Sequence, residues 1–200
     1  MGIFSQKGFS FGKIRTNMQW HLICAWLFYF FVHSFLASTG VKNYFSKNWP
    51  ILFSYYRIAY NIIAILGLGI LLKLSMPLAS QVLNIYLGIT LAVTGFGLIF
   101  LAFRAFNLRE FLGLEPEKPT SLVVTGMYRY VRHPLYFGTI IFIAGLYLLF
   151  PSSHMLTILF ISYSYIWIGS RLEEQKLRKL YGEAYQAYSK RVKSLIPYVY

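Results

Sequence analysis

Long apolar runs constrain this chain more than any other feature. Trp20 to Ser38, Ile58 to Leu74 and Val82 to Phe103 each approach or exceed the roughly 20 residues that carry a helix across a bilayer. Lys73 ends the second run, where its long stem can snorkel to the interface. Two shorter runs, Leu135 to Phe150 and Met155 to Gly169, are separated only by Pro151-Ser152-Ser153-His154, which reads as a tight helical hairpin. A soluble alternative fails on surface chemistry: 57% of residues are hydrophobic and only 12% charged, about half the usual share. The expected fold is all-α, an integral membrane bundle of about five transmembrane helices with an amphipathic C-terminal helix. It forms a single membrane domain over residues 1–200: a tail over 1–17, three transmembrane helices within 18–103, and a second half over 104–200.

Charge sets the expected orientation. A formal net charge of +13 could suggest nucleic acid, but in so hydrophobic a chain the positive-inside rule is the better reading, and no nucleic-acid partner is expected. With the C-terminus cytoplasmic, cytoplasmic segments carry 15 of the 19 Lys and Arg; the opposite side keeps Lys7, Lys13, Arg15 and Lys73. The first 17 residues lack the pattern of a cleavable signal. Cys24 is the only cysteine and all six acids are glutamates, so no metal site is expected.

Along the chain, the linker Thr39 to Ser54 carries Lys42, Lys47 and Trp49-Pro50, residues that suit a membrane interface. His33 and Ser34 sit deep in an apolar run. An intramembrane ionisable group is a functional candidate by default; the commoner alternative is a neutral histidine bonded to a neighbouring helix. Gly95 and Gly97, two residues apart, do not share a helix face. The one sizeable polar loop is Phe106 to Thr125. Beyond it, Pro134 suits the first turn of helix four, whose positive dipole end lies beside Arg132 and His133. Such a corner accepts a carboxylate. In the tail, Leu177, Tyr181, Ala184, Tyr185, Tyr188, Val192 and Leu195 recur at helical spacing, giving an amphipathic helix whose charged face would lie on the membrane surface or the cytoplasmic loop.

Two clusters carry the chemistry. Tyr128, Arg132, His133 and Tyr136 precede helix four; Arg171, Glu173 and Glu174 follow helix five. The hairpin returns the chain to one side, so both clusters should meet in a pocket at membrane depth with cations, paired acids and aromatic faces. No Walker loop or dinucleotide glycine fingerprint competes. The residues alone suggest a membrane enzyme using a zwitterionic small cofactor.

The motifs G-x-Y-x-x-x-R-H-P-x-Y-x-G at Gly126 to Gly138, E-E-x-x-L at Glu173 to Leu177 and G-E-x-Y-x-x-Y at Gly182 to Tyr188, with a closing Pro197, resemble the isoprenylcysteine carboxyl methyltransferase and phospholipid methyltransferase superfamily. The resemblance covers roughly the C-terminal half, in order and spacing as well as residue type. In the first half, His33-Ser34, Tyr56-Arg57 to Tyr60-Asn61 and Phe106-Asn107 to Gly113-Leu114 look like a bacterial branch of NnrU-like and methanethiol S-methyltransferase-like proteins.

The resemblance implies a methyltransferase that binds S-adenosyl-L-methionine in a cytoplasm-facing pocket, in a multi-pass protein of the bacterial inner membrane. Implied cofactor contacts are Thr120, Ser121, Leu122, Val123, Tyr128, His133, Pro134, Leu135, Tyr136 and Glu173, with Gly95, Gly97 and Glu174 as secondary candidates. Arg132, Arg171 and Glu174 are the candidate catalytic residues. The family's substrate-binding arginine has Gly169 as its direct counterpart, so Arg171 matches by proximity only. The acceptor class stays open between thiol, prenylcysteine carboxylate and phospholipid amine, with a small thiol or other lipophilic molecule preferred, and membrane lipids as surroundings. Two rivals remain: an NADPH-dependent sterol or steroid reductase, whose R-H-x-N-Y-x-G-[DE] pattern lacks its Asn and its acid here, and a non-enzymatic membrane scaffold.

Overall fold

The computed structural model describes residues 11–76, 82–105 and 121–199, and of residues 11–19 and Ser54 the backbone alone. Among the described residues six helices follow in order: α1 (Phe11–Ala37), α2 (Thr39–Asn48), α3 (Phe53–Ser75), α4 (Ile85–Phe103), α5 (Pro134–Leu149) and α6 (Ser153–Arg191). Short 3-10 turns occupy Pro50–Leu52 and Gly126–Arg129. Among the described residues, extended pairing is limited to one isolated parallel bridge between Val131 and Lys193.

Each apolar run is a helix, for the reason that lipid offers backbone N–H and C=O groups no partners. Among the described residues four helices are long and apolar enough to span a bilayer, while Pro134–Leu149 is shorter at 16 residues. Their outer faces are apolar and bare: Phe28, Phe31 and Phe35 on α1, Ile65 and Leu66 on α3, and Val93, Phe96 and Phe100 on α4 are all exposed. Such area is far beyond what a water-facing surface carries. The chain is an all-α membrane protein.

Two elements are more detailed than expected. The linker from Thr39 to Ser54 contains α2, started by Ser38, whose side chain accepts from Val41 N. Helix five runs on past Gly169 into the charged tail as far as Gly182, and a second, amphipathic helical stretch follows to Arg191; no proline interrupts either, and a change from apolar to charged side chains does not end a helix. The break between them is Gly182, at φ 53° and ψ −125°, a conformation that side chains disfavour and glycine adopts freely.

The pocket-bearing half is built on a close antiparallel crossing of α4 and α5. Leu83 N and Asn84 N both donate to Leu148 O where the two helices meet. Gly88 and Gly95 face Gly145 and Gly138 at matching seven-residue spacing; a Cβ on Gly95 would stand 2.7 Å from Gly138 O. Gly95 is therefore occupied by helix packing, whereas a Cβ on Gly97 would meet open space. At the other end, Trp26, Leu71, Leu146, Met155 and Ile158 join α1, α3, α5 and α6 in a buried core. There the Trp26 indole N–H donates to the Ser75 hydroxyl at 3.2 Å.

Candidate functional site

The R-H-P segment and the acid pair converge as the hairpin requires. Pro134 starts α5, and α6 returns Glu173 and Glu174 to its N-terminus: His133 Nδ1 lies 3.4 Å from Glu173 Oε2, and Nε2 lies 3.4 Å from Glu174 Oε1. These are long contacts, and Nε2 meets no hydrogen-bond geometry, leaving a buried polar atom without a partner. Burial opposes a charge on this imidazole, but the two flanking carboxylates outweigh it and raise its pKa above 6.5.

Behind the pocket lies a dense polar latch. Arg132 Nε donates to Glu174 Oε1 at 3.0 Å and its Nη2 to the same oxygen, while Nη1 donates to Ser189 O and Val192 O. Ser194 Oγ adds a third donor to Glu174 Oε1 at 2.9 Å. Burial alone would push the Glu174 carboxyl up; His133, Arg132 and Ser194 instead hold it down at about 2. The backbone repeats the connection: Arg132 N donates to Lys193 O and His133 N to Ser194 O. Tyr188 Oη donates to Tyr128 O at 2.7 Å. The tail after Gly182 is thus folded onto the 126–133 segment, with Tyr185, Tyr188 and Leu195 buried rather than facing lipid.

In front of the latch is a cavity of about 400 Å³. Ser121, Leu122, Val123, Tyr128, His133, Pro134, Leu135, Tyr136 and Glu173 line it, together with Arg132. Thr120 lies outside the described residues. Glu174 sits behind the wall, its Oε1 engaged by Arg132 and Ser194. Arg171 is exposed on α6, its guanidinium 5.5 Å from the Trp167 ring centre, and does not line the cavity. Four lining residues were missed as site residues: Leu177, Tyr181, Tyr185 and Tyr188. Their helical periodicity was visible in the sequence, but for Tyr185 and Tyr188 the direction of that face depends on the break at Gly182.

The volume falls in the range of small-molecule sites. Its chemistry is mixed: an acid at one wall, aromatic faces, and the first turn of α5 with its unpaired N–H groups. Glu173 is 46% exposed, so its carboxylate is open to a ligand. Burial and then Glu173 push the Tyr128 phenol up to about 12, so it is a neutral donor at physiological pH.

The phospholipid methyltransferase family matches residues 83–184, which include α4, α5 and α6 as far as the Gly182 break. A methanethiol S-methyltransferase from a Pseudomonas sp. is 32% identical over 181 residues, covering 82% of this chain and 68% of the relative. A second, from Pseudomonas deceptionensis, is 33% identical over 54% of this chain and 44% of its own length. A protein-S-isoprenylcysteine O-methyltransferase from Schizosaccharomyces pombe is 36% identical over 42% of this chain and 36% of its own length. No solved structure matches. This membrane protein belongs to the phospholipid methyltransferase family. Its relatives are, by name, methyltransferases for a thiol and for a prenylated cysteine.

Proposed function

We propose that the chain transfers a methyl group from S-adenosyl-L-methionine to a small or lipophilic thiol, with the cofactor held in the 400 Å³ cavity between α5, α6 and the folded tail. The observation that carries this reading is the convergence of three separated motifs on one cavity, the first two of them inside the family-matched region. The residues fit the cofactor. Glu173 offers a carboxylate to its ammonium or ribose hydroxyls, the α5 N-terminus offers N–H donors to its carboxylate, and the faces of Tyr128 and Tyr136 suit a sulfonium cation. The bound cofactor supplies an activated methyl group. The chain's task is to hold donor and acceptor in line at near-contact distance. The tail side chains Tyr185 and Tyr188 form part of the cavity wall.

Within this reading Arg132 and Glu174 position the wall. Four of the five guanidinium N–H donors of Arg132 are already used, so its contribution is to fix His133 and the tail. The thiol acceptor is favoured because a relative matching over 82% of this chain is a methanethiol S-methyltransferase.

Purified protein is expected to bind S-adenosyl-L-methionine and its demethylated product with low-micromolar affinity, on the order of −8 kcal/mol. Calorimetry checks this; saturable binding of NADPH with neither of these ligands would favour the reductase reading. The charge asymmetry favours a cytoplasmic side for the cavity. A reporter after Tyr200 is expected to be cytoplasmic, and a cysteine at Ser153 in a Cys24→Ser background to label from the opposite side. Labelling of that cysteine from the cytoplasm would overturn the orientation.

A further inference from the structure

A second polar cluster lies outside the cofactor cavity and inside the bilayer span of α1. Ser34 Oγ and Tyr165 Oη are 2.8 Å apart, joining α1 to α6. The Tyr165 ring stacks on Phe30 at 4.4 Å, and its hydroxyl is within electrostatic reach of both Tyr29 and Tyr136. Next to Ser34, the His33 ring stacks on Tyr29 at 6.1 Å, and Tyr29 is itself pinned by its hydrogen bond to Ala64 O on α3. His33 Nδ1 is buried and has no hydrogen-bond partner among the described residues. A dry, unpartnered imidazole nitrogen is costly and marks a place where a ligand or proton belongs.

The cluster connects with the cavity. Tyr165, Gly169 and Glu173 are spaced four residues apart on α6, about 12 Å in all, and so share one face. The Tyr136 hydroxyl lines the cavity, faces Glu173, and would lie 3.9 Å from a Cβ on Gly169. On its outer side the cluster meets lipid, since Ser34 is exposed between the bare rings of Phe31 and Phe35.

We propose that the contact of α1 with α6 at Ser34 and Tyr165, with His33 beside it, is the acceptor site, entered from the bilayer, and that His33 takes the proton of the thiol. This inference rests on the proposed methyl transfer. The step balances: the thiol proton passes to the neutral imidazole, and the sulfur lone pair forms a bond to the methyl carbon. The pair of the breaking carbon–sulfonium bond stays on the cofactor sulfur, which becomes a neutral thioether. The charged and titratable groups near this end of α1 are Tyr29 on α1 itself, Tyr56, whose hydroxyl donates to Leu36 O, and the buried Arg57 on α3, Tyr165 on α6, and Lys42 and Lys47 on the neighbouring α2. No carboxylate precedes Glu110 in the sequence, so nothing on α1 to α4 competes for the proton.

The test uses the full chain in lipid nanodiscs with His33→Ala, His33→Gln and Tyr165→Phe, folding being checked by melts. Binding of S-adenosylhomocysteine should be unchanged in all three. With an alkyl thiol, both His33 variants should lose about 100-fold or more in kcat. They should regain rate as pH rises toward the ordinary thiol pKa of about 8.5. Tyr165→Phe, which removes one hydroxyl, should raise the thiol KM roughly fivefold with kcat kept. Octanol, an unreactive isostere, should bind the wild-type product complex and bind the His33 variants less tightly. Variants that bind the product and methylate the thiol with wild-type KM, kcat and pH profile would overturn the acceptor site while leaving the cofactor reading intact. Wild-type protein that binds neither S-adenosyl-L-methionine nor its product would instead overturn the reading on which the inference rests.

Discussion

Replacing Arg132 with alanine is expected to destabilise the protein by about 3–5 kcal/mol, the cost of leaving one member of a buried ion pair without the other. The Arg132 and Glu174 side chains are 11% and 5% exposed, so water cannot take over from the lost guanidinium. The damage should reach beyond the pair, since Nη1 of Arg132 also donates to Ser189 O and Val192 O and so fastens the tail over the cavity. Glu174→Gln should cost less, because an amide oxygen still accepts from Ser194. The double variant Arg132→Met with Glu174→Leu should recover part of the loss, since it removes both charges rather than stranding one. Thermal melts of the four proteins in one detergent check this. A single Arg132→Ala variant as stable as wild type would show that the latch contributes nothing to the fold.

The same latch gives the stability a pH dependence with a definite sign. Glu174 is held at about 2, below its ordinary 4.5, so its contribution is present above pH 4.5 and is lost as pH falls from there toward 2. His133 is raised above its ordinary 6.5, so its contribution is complete below that value and is lost as pH rises through the folded pKa. Together they place the latch's maximal contribution between pH 4.5 and 6.5.

The helices were legible because each depends on local composition. Runs such as Ile58 to Leu74 and Val82 to Phe103 have one stable form in lipid, and α3 and α4 contain them to within a few residues. The hairpin was legible for the same reason, from Pro151 and the capping Ser152, whose hydroxyl accepts from Met155 N. What was not legible depends on distance along the chain. Arg132 and Glu174 are 42 residues apart, and Arg132 and Val192 are 60 apart; no local pattern shows that one guanidinium joins them. Arg132 therefore reads in the sequence as a free cation ready for a carboxylate. The sequence likewise offers Gly95 as a cofactor candidate, since the arrival of the α5 backbone against it is a tertiary event. The tail's amphipathic spacing was visible, but the direction of its apolar face is decided by the single left-handed turn at Gly182.

Glu173→Gln separates the cofactor reading from a merely structural one, because Glu173 is the acid of the pair that the latch does not use. Its neighbour Glu174 carries the hydrogen bonds from Arg132 and Ser194, whereas Glu173 meets His133 at 3.4 Å and is 46% exposed. The substitution keeps shape and removes charge, so the fold should melt within about 0.5 kcal/mol of wild type, as for an ordinary surface change. If the carboxylate receives the cofactor's ammonium or ribose hydroxyls, affinity should fall by about 1.5–3 kcal/mol, the scale of a charged hydrogen bond. The partial exposure of Glu173 places the expectation at the lower end, roughly tenfold in dissociation constant. Arg171→Ala supplies the contrast, since that guanidinium lies over Trp167 outside the cavity and its loss should leave cofactor affinity unchanged. Calorimetry with S-adenosylhomocysteine on both variants decides the matter. Wild-type affinity in a folded Glu173→Gln protein would remove the cofactor from this wall of the cavity, and a loss confined to Arg171→Ala would move it to the outer face of α6.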